Sequence, residues 1–166
     1  MEKRYDFLVI GSGHQEENIR QTAKRFGVYN KSFFMLPRVA KQDMPTVLSA
    51  TTIATSVFRD VKEMWNNSAN KVFDAHAAGR PVAINHQGWH ADRIRETGCG
   101  LVLDVHDTRS SAEQLTAALA DAGWLAAARE ASRRVGRERF DRNKLYERWE
   151  SAVLSVMPTE ARRLAA

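Results

Sequence analysis

Cysteine occurs once, at Cys99, so no internal disulfide can form and a reducing cytosol is the expected setting. Long apolar runs are missing too. The longest are strand-sized, far short of a bilayer span. The opening MEKRYDFLVIGSG lacks the basic-then-apolar pattern and small-residue cleavage site of a secretory leader. The NNS at 66–68 therefore fits a glycosylation pattern without the secretion it needs. An Asp-x-Asp pair, the usual clamp for a metal on a nucleotide diphosphate, is absent. Histidine is sparse: His86 and His90 are four apart with Gly88 between them, in a segment that reads as a loop, while His14, His76 and His106 are scattered. No third ligand joins the pair, so no metal is expected. GSGHQE begins like a dinucleotide fingerprint, but Glu16 stands at the third glycine position and the next strand-like run, SFFMLP, ends in proline rather than an acid. What survives is a glycine pair that turns the chain sharply, either as a plain tight turn or against a ligand.

What is present is an ordinary soluble composition, 43% apolar and 27% charged, in 166 residues. That length fits one domain, 1–166, with a real core. Net charge is +5, and between Arg129 and Arg148 eight Lys or Arg residues face four Asp or Glu. Such a basic end either attracts phosphates, nucleic acid or an anionic membrane surface, or forms a solvated helix face with i,i+4 partners.

Short β-rich runs alternate with helical patterns. Strands are expected over 5–11, 32–37, 53–58, 81–85 and 100–104. Between them EENIRQTAKRFGV places Ile19, Ala23 and Phe26 on one face, QDMPTVLSAT reads as a short helix capped by Asp43, and HADRIRET reads as another. SSAEQLTAALADAG opens with a Ser-Ser-x-Glu cap and ends at Gly123, and an amphipathic helix over 140–157 aligns Leu145, Trp149, Val153 and Val156. Strands that are apolar throughout, each followed by a helix, predict a doubly wound parallel α/β sheet. Ligands in such sheets bind beyond the carboxyl ends of the strands.

The stretch WNNSANKVFDAHAAGRPVAIN, residues 65–85, sits at one of those ends. Ser68 or Asn67 is expected to cap its helix, leaving backbone N–H groups from Ser68 to Lys71 as an anion site suited to phosphate. Lys71 adds a charge or packs its stem. Asp74, one turn in, accepts hydrogen bonds from vicinal hydroxyls or compensates the helix dipole. Cys99, in ETGCGLV, is expected to be buried rather than nucleophilic.

FLVIGSGHQEENIRQTAKRFGV, FFMLPRVAKQDMPTVLSATTIATSVF, NNSANKVFDAHAAGRPVAINHQGW and ETGCGLVLD, in that order, resemble the C-terminal half of group 1 (family 4) retaining glycosyltransferases. The likeness spans residues 5 to 155 and is greatest to the branch that builds capsule, O-antigen and other surface polysaccharides. It implies a GT-B enzyme's Rossmann-like donor half with C-terminal helices. It further implies a nucleotide-sugar site: Gly11, Ser12 and Gly13 lining the cleft, Pro37, Arg38 and Val39 against the base, and Asn67, Ser68, Ala69, Asn70 and Lys71 receiving the diphosphate and sugar. The family's Glu-x7-Glu pair, one carboxylate facing the donor sugar and one holding the ribose, falls on Asn66 and Asp74. Asn66 lacks the charge, so the departing diphosphate would have to take the acceptor's proton, with the helix N–H groups stabilising its charge and no metal or other cofactor required.

The family pattern also implies one strand before the first seen here and a preceding N-terminal acceptor domain, both absent from this sequence. The five strands would then follow the order 3-2-4-5-6 by the family's count, or a partner would supply the missing edge, and the chain alone would be inactive. The implied partners are a nucleotide-sugar with uridine diphosphate as its carrier, a glycan or lipid-linked acceptor and the missing acceptor domain, but not nucleic acid. The implied location is cytoplasmic, peripheral at the inner membrane face. The rival readings are a non-catalytic nucleotide-binding or interaction module of the same fold, and another GT-B enzyme such as a sugar-nucleotide epimerase.

Overall fold

The structure, a computed structural model, describes residues 5–157. The chain divides into two compact units, residues 1–47 and 48–166.

In the first unit β1 (Phe7–Ile10) lies parallel to β2 (Phe33–Leu36), with Phe7 opposite Phe33 and Ile10 opposite Leu36. α1 (Glu16–Arg25) makes the crossover that parallel neighbours require. It carries Glu16 and Glu17 in its first turn and Lys24 and Arg25 in its last, matching the helix dipole at both ends. Arg20 binds Glu16 at 2.8 Å one turn away. Among the described residues β1 has β2 as its single strand neighbour.

Beyond β2 a 3-10 turn, Lys41–Asp43, continues into α2 (Met44–Ala50). Asp43 lies inside that turn. The chain enters the turn through extended Ala40 without a side-chain cap.

The second unit is built on a three-stranded parallel sheet, order β3-β4-β5, from β3 (Ala54–Ser56), β4 (Val82–Ile84) and β5 (Gly100–Val102). Alternation along the strands gives it two cores. Val82 and Ile84 face one way, with Val102, onto α3 (Asn70–Ala77), α4 (Trp89–Thr97) and α6 (Ala122–Arg139). Ala83 and Leu101 face the other way, onto Leu115 and Ala118 of α5 (Thr108–Ala120) and Trp124. Helices on both faces make this a Rossmann-like, doubly wound α/β arrangement. Cys99 is fully buried at the start of β5, and burial pushes its thiol pKa up.

Strands and helices fall where the sequence puts them, and within each unit the strands pair in parallel. Within each sheet the neighbours are those of the expected order. One helix boundary moves. Asp107, not the Ser-Ser-x-Glu box, caps α5 by accepting from Ser110 N at 2.9 Å, and Ser111 instead donates to Asp104 O. Gly123 does not end that helix, because Asp121 stops α5 and caps α6 in the same step. α7 (Arg142–Val156) starts at Asp141 as expected, with that side chain accepting from Asn143 N and Lys144 N.

Candidate functional site

In the first unit the two candidate segments leave the same end of neighbouring parallel strands. Gly11 follows β1 directly, and its N–H donates to Leu36 O at 3.1 Å. Its φ of 138° is open only to glycine at low cost. Ser12 and Gly13 are exposed, and Gly13 O accepts from Glu16 N as the chain turns into α1. Pro37 and Arg38 follow β2 and are exposed, with Val39 half-buried.

In the second unit the polar knot is more ordered than a loop. A 3-10 helix, Lys62–Asn66, closes it, and the backbone then runs extended through Asn67 (ψ 130°) and Ala69 (ψ 115°) into α3. Ala69 is the cap residue, and no side chain caps the helix. The expected capping by Ser68 or Asn67 is therefore not what the structure contains. Ala69 is pulled into this position because its methyl belongs to the core with Val72 and Ala75. Asn66, Ser68, Asn70, Lys71 and Asp74 are exposed, and Asn67 is half-buried. The consequence is chemical. The Val72 N–H donates to Ala69 O at 2.9 Å, and with no hydroxyl or carboxylate turned back onto the turn, the Asn70 and Lys71 amides are left for an outside anion.

Lys71 projects from this turn with its Nζ 4.8 Å from the centre of the Phe58 ring. Partial burial of the ammonium lowers its pKa. Phe58 is in turn fixed by Asn85, which stands at the end of the PVAIN strand run. The Asn85 side chain accepts from Phe58 N and donates to Phe58 O, each at 2.8 Å, extending the β3–β4 ladder by one side-chain rung. A lone amide ending the apolar run PVAI was the available signal.

The loop after β4 packs against the knot. Gly88 has φ 95°, and a Cβ there would stand 2.3 Å from Trp65 O. His90 stands in the first turn of α4, the helix expected over HADRIRET, and His86 lies in the loop before it. Its pKa falls to about 4 through burial, with His86 and Arg93 adding to the effect and the Asn67 backbone opposing it. His86 and His90 are both 2% exposed, their ring centres 6.3 Å apart. Among the described residues no three His, Cys, Asp or Glu side chains converge as a metal site.

The far end of α3 is locked from behind. Gly136 lets α6 approach so closely that a Cβ there would lie 2.8 Å from His76 O. Ser132 donates to Arg80 O at 2.6 Å, so it accepts from His76 at 2.8 Å, which assigns the proton to Nδ1 of a neutral imidazole. Burial, then His90 and Arg93, bring the His76 pKa down to about 4.

The model of the glycosyl transferases of group 1 matches residues 1–121. No curated protein matches the chain. Solved structures do. WaaG, a glycosyltransferase involved in lipopolysaccharide biosynthesis, is 19% identical with a TM-score of 0.65, over 81% of this chain and 34% of its own. HepE from Anabaena, in complex with UDP-glucose, is 16% identical with a TM-score of 0.76, over 91% of this chain and 41% of its own. AviGT4, a glycosyltransferase involved in avilamycin A biosynthesis, is 18% identical with a TM-score of 0.58, over 78% of this chain and 37% of its own. The chain thus spans well under half the length of these structures. The family match covers most of the residues, and the fold agrees with it: the chain belongs to the glycosyl transferases of group 1 and has the Rossmann-like fold of the C-terminal half of their GT-B architecture.

Proposed function

We propose that this chain is the nucleotide-sugar donor-binding portion of a retaining glycosyltransferase, taking a uridine diphosphate sugar and serving the assembly of a cell-surface glycan. The observation that carries this reading is the uncapped start of α3, an exposed first turn with Lys71 beside it and Asp74 one turn further on. The diphosphate sits at that turn, its charge met by amide donors, the helix dipole and Lys71. Asp74 accepts from the ribose hydroxyls. Asn66 offers hydrogen bonds and no charge, so the departing diphosphate itself takes the acceptor's proton. No metal is called for in this scheme. UDP-glucose bound to HepE and the lipopolysaccharide role of WaaG support the choice of donor and glycan.

Calorimetric titration of UDP and UDP-glucose tests this. Binding should weaken by ~1–3 kcal/mol in Asp74→Ala if the carboxylate holds the ribose. Equal affinities would make Asp74 a dipole residue and remove it from the site. One observation favours a second reading. Asn66, standing where the family carries a carboxylate, fits a module that binds a nucleotide and transfers nothing. Restoring Asn66→Glu in the complete enzyme should raise turnover if charge was lost, and should leave it unchanged or lower if the chemistry was rebuilt around the amide.

A further inference from the structure

A second concavity opens beyond the carboxyl ends of β3, β4 and β5, wholly within the second unit. Its volume of about 320 Å³ lies at the lower end of small-molecule sites. Trp65 forms an aromatic wall, half-buried and held by its Nε1, which donates to Asp60 Oδ1 at 3.3 Å. Asp60 Oδ2 meets His106 Nε2 at 3.0 Å, and Asp104 Oδ1 accepts from His106 N at 2.8 Å. Across the cavity Gln87 Oε1 accepts from Arg95 at 2.6 Å. These contacts fix the side chains and leave capacity over. Asp104 Oδ2 and the Gln87 side-chain N–H groups have no partner among the described residues. His86, which forms part of the wall, is 2% exposed and packs edge-on to Phe58. Its Nδ1 donates to Gln87 O at 2.9 Å.

The balance of charges selects the ligand class. Two carboxylates repel a phosphate, Arg95 offsets a cation, and no three ligating side chains converge for a metal among the described residues. Fixed acceptors, a fixed amide donor and one aromatic wall suit a neutral polyol with an apolar face, which is a pyranose ring. We infer that this cavity, walled by Trp65, His86 and Gln87 and bearing Asp60 and Asp104, is a saccharide subsite that holds one pyranose ring of the glycan. The inference rests on the glycosyl-transfer reading for its ligand class, but none of its residues belongs to the proposed diphosphate turn.

Saturation-transfer NMR on the full chain with glucose, galactose, mannose and N-acetylglucosamine, each at millimolar concentration, tests it, alongside a separate titration with UDP. At least one sugar should receive saturation. The signal should vanish in Trp65→Leu, and affinity should fall roughly five- to tenfold in Asp104→Asn, which keeps the side chain's shape and one acceptor. Transfer to none of the four sugars overturns the subsite, as does transfer unchanged in folded Trp65→Leu and in Asp104→Asn. If UDP shifts the amides of Asn67–Lys71 and no sugar responds, this inference fails and the donor reading stands. If a sugar responds through both side chains and UDP shifts nothing, the subsite stands and the donor reading fails.

Discussion

Asn85 ends an apolar strand, and its amide grips both backbone groups of Phe58, the ring on which Lys71 rests. Asn85→Ala leaves a buried-edge N–H and C=O without partners. It should cost about 1–3 kcal/mol in urea unfolding and release Lys71 from its ring. An unchanged midpoint would show that water replaces the clamp freely. Gly88 carries a different constraint, since both its positive φ and the nearby Trp65 carbonyl oppose a side chain. Gly88→Ala should cost about 1–3 kcal/mol and shift Trp65 emission, because the loop must move away from the knot. Unaltered emission and stability would mean that the two segments adjust independently. Of these residues the sequence revealed the polar types but not their partners. Asn85 reaches back twenty-seven positions, a distance at which local pattern carries no signal.

At the scale of elements, every strand and every helix that local pattern foretold is present, while several caps differ. The two helix starts whose caps differ have separate reasons. Ser68 precedes a buried Ala69, and the methyl's place in the core sets where α3 begins. Ser110 and Ser111 follow an Asp107 already placed to accept, so the hydroxyls turn elsewhere. Packing makes the selection at α3, and an earlier carboxylate makes it at α5. The α3–α6 seam was hidden altogether, since His76, Ser132 and Arg80 are drawn from separate elements. It makes stability pH-dependent. His76 and His90 stay neutral in the fold to about pH 4, whereas the unfolded chain protonates them near 6.5. The unfolded state therefore binds more protons between those values. Stability is full above about 6.5 and should fall towards about 4 by up to about 1.4 kcal/mol per pH unit for each histidine. Urea midpoints at pH 7, 6 and 5 should show that decline, and His76→Gln should flatten part of it. A flat profile in the native chain would contradict the neutral assignments.

For the whole molecule, periodicity and composition foretold a parallel α/β class, and the fold agrees because strand polarity follows from apolar runs separated by helices. Within each unit the strand neighbours, β1 with β2 and β3-β4-β5, are those the family's order implied. The basic excess lies on α6 and α7, where Arg133 approaches Glu130 at 3.7 Å in the ordinary manner of a solvated face. No helix among the described residues is long and apolar enough to cross a membrane. The candidate site was legible as a place, the start of one helix beyond a strand end, because asparagine and serine crowd there. The central claim is that this helix start receives the diphosphate of a nucleotide-sugar. Amide chemical shifts of the ¹⁵N-labelled chain during titration with UDP-glucose test it most directly. Saturable shifts centred on Asn67–Lys71, with Asp74 following, are the predicted result. Shifts absent from residues 66–74 while the protein remains folded would contradict it.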